Sequence, residues 1–297
     1  MFSNSSMSLR RFSGFALTFL FLAAGFCAGA WAQTTPTAIA SFATGLAQPA
    51  QTSIGSIANT ATDTFGDWLV EDDTNGALYE LPAGGVTFKT LVGSGGLAGS
   101  SATNSIVTPG IAIDGANNLY IEGGTCVLIY PYDTVTGTWD GLAALTSKAP
   151  SSSACGTTAP SFYNFGTGVQ TWGIGIGNTS VLIGTSGSTG NGIASIAVSG
   201  SPAAPVAGAA TSIITGLKGT AISIAEDPTG NIYFVEQGSG ALVGAYEIPA
   251  GTTGLTSDSG LKRIDPSLPS VTGVTVDGAG NIYIGDSTDG VFLLPVG

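Results

Sequence analysis

Val271–Asp286 reads VTGVTVDGAGNIYIGD, and the phrase returns as Pro109–Gly123 (PGIAIDGANNLYIEG) and Thr220–Glu236 (TAISIAEDPTGNIYFVE). Each copy opens on an alternating apolar stretch. Asp, two further residues, Gly or Asn, and Asn follow, and then an apolar–Tyr–apolar run. Alternation with period two marks half-buried strands. The polar segment between them is turn chemistry, because Asp and Asn bond their own backbone and Gly or Asn tolerates a positive φ. Asp63–Val70 (DTFGDWLV) is a degenerate copy, and Trp172–Gly184 (WGIGIGNTSVLIG) is another that lacks the Asp.

Anchored on Leu69, Tyr120, Leu182, Tyr233 and Tyr283, the copies step by 51, 62, 51 and 50 residues. A second apolar run ending in proline follows four of them: Ala77–Pro82, Val127–Pro131, Ala245–Pro249 and Val291–Pro295. Further β-rich segments, Val86–Leu91 and Leu261–Ile264, supply a fourth strand. One such sheet cannot bury its own faces, but sheets repeated around an axis can bury each other's. The last copy has only three strands before Gly297, and a spare alternating segment, Thr37–Phe42 (TAIASF), lies near the start. It is expected to pair as the missing outer strand and so remove an exposed edge. The reading is all-β, with five four-stranded units. A sixth has room only in the long step between Tyr120 and Leu182.

Gly273–Ile284 resembles the NHL repeat, which builds β-propellers, and Gly110–Gly123 and Ala221–Glu236 match nearly as well. The resemblance implies a ring of NHL-type blades over residues 33–297 and says little about function, since propellers host many roles. NHL repeats usually carry Asp three residues after the Tyr. That position here reads Asp72, Gly123, Thr185, Glu236 and Asp286.

Residues 1–32 read as a secretory signal. Arg10 and Arg11 precede an apolar or small-residue run, Gly14–Gly29, and Ala30-Trp31-Ala32 is a small-residue cleavage site. The run is shorter than the ~20 residues that span a bilayer. The expected product is exported, periplasmic or extracellular, with no membrane association after cleavage. Export makes a disulfide between Cys126 and Cys155 the expected state of the two remaining cysteines.

The chain has 7 Lys and Arg, 19 Asp and Glu and no His. Nucleic-acid binding is excluded, since that needs clustered basic residues. The absence of His removes Ser-His-Asp and Cys-His machinery and His-ligated zinc. Three groups are candidates for function. Asp72, Glu236 and Asp286 fall at the ends of second strands in units that ring closure makes neighbours. Together they are a candidate Ca²⁺ site, which needs oxygen ligands and no His; the plainer role for each is to cap its own hairpin. Trp139, Phe162 and Tyr163, in the irregular stretch between units two and three, are a candidate binding loop, since exposed aromatics stack sugars or peptides. Asp63, Asp114, Asp227 and Asp277 are expected to form turns and nothing more. The functional expectation is a binding or scaffolding module for a protein or carbohydrate. The alternative is a metal-assisted hydrolase or lyase, resembling gluconolactonase-type propellers that use carboxylate and Asn ligands at the ring axis.

Overall fold

The computed structural model describes residues 37–38, 57–72, 74–85, 87–97, 110–145, 159–188, 190–238, 244–265 and 268–295. A short strand, β1 (Thr37–Ala38), comes first. Blade 1 is β2 (Ile57–Thr62), β3 (Trp68–Asp72), β4 (Ala77–Leu81) and β5 (Lys89–Val92). Blade 2 contains β6 (Ile111–Ile113), β7 (Leu119–Gly123) and β8 (Cys126–Tyr130). An insertion follows, with a small hairpin of β9 (Tyr132–Asp133) and β10 (Thr138–Trp139) and a single 3-10 turn, Leu142–Ala144. The outer strand of this blade is β11 (Ser161–Asn164). Blade 3 is β12 (Val169–Ile176), β13 (Ser180–Gly187), β14 (Asn191–Ser201) and β15 (Ala204–Leu217). Blade 4 is β16 (Thr220–Glu226), β17 (Ile232–Gln237), β18 (Gly244–Ile248) and β19 (Lys262–Arg263). Blade 5 contributes β20 (Val271–Val276), β21 (Ile282–Asp286) and β22 (Gly290–Leu294).

The described strands form five four-stranded sheets, each antiparallel and built in sequence order, apart from the β9–β10 ribbon. In blade 5 the fourth place is filled by β1, with Thr37 opposite Leu293 and Ala38 opposite Phe292. The first described strand therefore completes the last sheet, as the spare segment before the first repeat predicts. The long step between Tyr120 and Leu182 holds no extra blade among the described residues. It is spent on the blade 2 insertion and on β11. Residues 1–32, expected from the sequence to be a leader, and Cys155 lie outside the described residues.

Side-chain alternation gives each strand two packing partners. In β7, Leu119 and Ile121 pack toward blade 1 with Leu69 and Leu78, while Tyr120 packs toward blade 3 with Val181 and Ile183. In β17, Ile232 and Phe234 join Leu182 and Ile193, while Tyr233 and Val235 join Val274 and Ile284. Apolar layers thus separate successive blades, and their burial is the main cohesive force. The glycine-rich run in β12 has a packing reason. A Cβ on Gly175 would overlap the carbonyl oxygen of Ile224, and one on Gly173 would press on the Ile222 carbonyl in β16. A Cβ on Gly184 in β13 would likewise overlap the Ala221 carbonyl oxygen. Blades 3 and 4 are therefore in backbone contact, which only glycine permits.

Candidate ligand-binding site

The repeat signature resolves into one hydrogen-bond device. In blade 2, Asp114 Oδ1 accepts the N–H groups of Ala116 and Asn118, and Oδ2 accepts Asn118 Nδ2 and the Tyr120 hydroxyl, at 2.8–2.9 Å. Asp227 does the same with Thr229, Asn231 and Tyr233, and Asp277 with Ala279, Asn281 and Tyr283. The Asn then reaches across the blade. Asn231 Oδ1 accepts the N–H of Ala250 at 2.9 Å, and Asn118 Oδ1 that of Tyr132 at 3.4 Å. Both acceptors serve the residue after the proline that ends the third strand. In blade 1, Asp67 replaces the Asn and accepts from Ala83 at 2.7 Å. Asp, Asn, Tyr and Pro thus fasten two turns of a blade together, and the turn-forming Asp residues are structural.

Burial and the carboxylate partner push the Tyr120 and Tyr233 phenols well above their ordinary range, so both donate as neutral hydroxyls. Burial pushes the Asp227 and Asp277 carboxyls up, but the converging donors outweigh it and hold them below their ordinary values.

The second-strand acids lie where the repeat predicts, near the ends of β3, β17 and β21. Each is occupied locally. Asp72 accepts from the backbone and side-chain amide of Asn75. Asp286 accepts the N–H groups of Ser270, Thr288 and Asp289. Glu236 accepts the N–H of Gly219, and burial raises its carboxyl against that bond. Among the described residues no three His, Cys, Asp or Glu side chains come together as a metal-holding group. These acids fasten the ends of their own blades.

A related residue with the same geometry is Glu122, which stands two residues after Tyr120 rather than three. It is fully buried, it accepts the Gly110 N–H at 3.2 Å, and burial pushes its carboxyl up to about 8.

The three aromatic candidates separate in the structure. Trp139 is 5% exposed, packed in the layer between blades 1 and 2, and its Nε1 donates to the Asn117 carbonyl at 2.8 Å. Phe162 and Tyr163 stand in β11 rather than in a loop. Phe162 is 42% exposed, while Tyr163 turns inward, against Phe165 at 4.8 Å and with its hydroxyl accepting from Ala210. Trp68, at the start of β3, is 37% exposed.

What the sequence did not announce is a cleft at the turn-bearing mouth. Turns of neighbouring blades are tied there in two places. Thr64 N–H donates to Asn117 Oδ1 at 2.8 Å, joining blades 1 and 2. Asn178 Nδ2 donates to Glu226 Oε1 at 2.6 Å, joining blades 3 and 4. Between blades 2 and 3 a cleft of about 290 Å³ opens instead. Asp114, Asn118 and Tyr120 form one wall, and Asn178, Thr179 and Ser180 form the other. The β14–β15 hairpin, the longest in the structure, brings Ser199–Pro202 over it as a third wall. The sequence signal was the two apolar runs flanking Gly200-Ser201-Pro202, which continue well past ordinary blade length.

No family model matches the sequence, and no curated protein matches it. Solved structures do. One from a nidogen–laminin complex has a TM-score of 0.51 at 12% identity, covering 80% of this chain and 75% of that one. A gluconolactonase from Xanthomonas campestris has a TM-score of 0.48 at 12% identity, over 80% of this chain and 71% of that one. The extracellular domain of a putative one-component system from B. thetaiotaomicron has a TM-score of 0.47 at 14% identity, over 83% of this chain. This chain spans only 28% of that protein. At such identities the likeness speaks for the fold alone, and together with the strand order it makes the chain a five-bladed β-propeller.

Proposed function

We propose that the protein is an exported β-propeller of NHL type that works as a binding module, taking a small polar ligand in the cleft between blades 2 and 3. The cleft carries this reading. It is concave, near the lower end of the ~300–1,000 Å³ range of small-molecule sites, and walled by a few converging polar groups on rigid strands and turns. The NHL assignment is supported by the Asp–Asn–Tyr device, repeated in blades 2, 4 and 5. Export is supported by the leader-like residues 1–32. Among the described residues no helix is long and apolar enough to cross a membrane. A Cys126–Cys155 disulfide belongs to the same proposal, supported by Cys126 being buried.

The test uses residues 33–297 and a fragment library read by ligand-observed NMR. Thr179 is exposed at the cleft rim, so Thr179→Trp should fill the opening without touching a blade interface. Hits on the parent protein should vanish in the variant. Hits that survive in Thr179→Trp, or a library without hits, would overturn the reading.

A further inference from the structure

We infer that the ligand is a neutral oligosaccharide, with one sugar in the cleft and the next stacked on Phe65; this rests on the cleft being the binding site. Two independent features lead there.

The first is the chemistry of the cleft. Its walls hold side-chain hydroxyls from Thr179, Ser180, Ser199 and Ser201 and no Lys or Arg, while the amide of Asn118 is taken up by Asp114 and Tyr132 and the amide nitrogen of Asn178 by Glu226. Asp114 is the one carboxylate among them, and both its oxygens are already engaged by four donors. The cleft therefore offers neutral hydroxyls among apolar side chains and no positive counter-charge. Many hydroxyls on a compact apolar ring match that lining. A phosphate or carboxylate does not, least of all on a protein whose net charge is −12.

The second is an exposed aromatic ring in the blade 1 turn that is bonded to the turn forming one cleft wall. Phe65 sits in the first turn of blade 1 and is 57% exposed. It leans on Tyr132, with ring centroids 5.6 Å apart, and Tyr132 in turn packs edge-on against Trp139 at 5.4 Å. Trp139 is held by its bond to the Asn117 carbonyl. The exposed ring is thus pre-positioned by two others, so little ordering entropy is lost when a ligand covers it. An exposed aromatic face is what the C–H face of a sugar stacks upon.

The two features share one turn. Thr64, next to Phe65, donates to Asn117 Oδ1, and Asn118 lines the cleft. A linear chain of sugars lying across the Asp114–Asn118 turn would meet both.

The experiment is isothermal titration of residues 33–297 with xylotetraose, cellotetraose, maltotetraose and mannotetraose, and with the parent monosaccharides. At least one tetrasaccharide should bind. Phe65→Ala should weaken it tenfold or more and leave the monosaccharide unchanged, while Thr179→Trp should abolish both. Circular dichroism melts of each variant, matching the parent, exclude misfolding as the cause. The inference is overturned if none of the four tetrasaccharides binds, or if Phe65→Ala leaves tetrasaccharide affinity intact. Fragment hits that Thr179→Trp abolishes, beside a silent sugar panel, would sink the oligosaccharide and spare the cleft. Sugar binding that Thr179→Trp leaves untouched would sink both. Capture of peptides but not sugars would mean that the Phe65 shelf serves a protein.

Discussion

At the scale of single residues, stability is concentrated in polar groups that the repeat places at turns. Tyr233 donates to an Asp227 carboxylate held ionised by its other donors. Hydrogen bonds to charged partners contribute about 1.5–3 kcal/mol. Tyr233→Phe should therefore lower unfolding free energy by about that amount in urea titration. A loss below ~0.5 kcal/mol would mean the hydroxyl is a passenger. Glu122 has the opposite electrostatics. Burial pushes its carboxyl up to about 8, so the folded state prefers the protonated acid. The stability this gives is complete below the ordinary carboxylate range and is lost as pH rises toward 8. Between pH 5 and pH 8 the melting midpoint of the parent protein should fall more than that of Glu122→Gln. Parallel pH profiles would contradict the burial argument.

Elements explain why the same residue type matters in one blade and not in another. Gly173 and Gly273 both follow a register shift in an inner strand. A Cβ at Gly173 would press on the β16 backbone, whereas one at Gly273 would meet nothing within 4 Å. Gly173→Ala should cost about 1–3 kcal/mol by overpacking, and Gly273→Ala about 0.5 kcal/mol or less. Equal losses in denaturant titrations would remove close blade packing as the reason for glycine in β12. The same contrast marks what was legible in the sequence. Two-residue alternation and the Asp-x-x-Gly/Asn-Asn turn are local codes, so blades 2, 4 and 5 could be read directly. Blade 3 lacks the Asp and stretches its outer hairpin, and the cleft it walls depends on where that hairpin lands. Trp139 looked like a loop aromatic because nothing local reveals that its indole N–H finds a carbonyl 22 residues away. The acids Asp72, Glu236 and Asp286 were legible as strand-end residues. Whether they would converge or serve their own blades was decided by backbone N–H groups that no side-chain spacing displays.

For the whole molecule, a propeller stands or falls on closure. Four blades supply their own outer strand, and blade 5 borrows β1 from the start of the chain. The pairing places Thr37 opposite Leu293 across 256 residues of sequence. Asp72, Glu236 and Asp286 are each engaged within their own blades. Added Ca²⁺ or a chelator should leave the melting midpoint of residues 33–297 unchanged, and a midpoint that rises with Ca²⁺ would show a cation bound to the native state. The most direct test of the closed ring is the paired substitution Thr37→Cys with Leu293→Cys. Under mild oxidation of the folded protein the two thiols should join, as peptide mapping would show, and the melting midpoint should rise because the unfolded chain is then tied end to end. Thiols that stay free under native oxidation, or a cross-link found only after unfolding, would contradict a ring whose first strand lies beside its last.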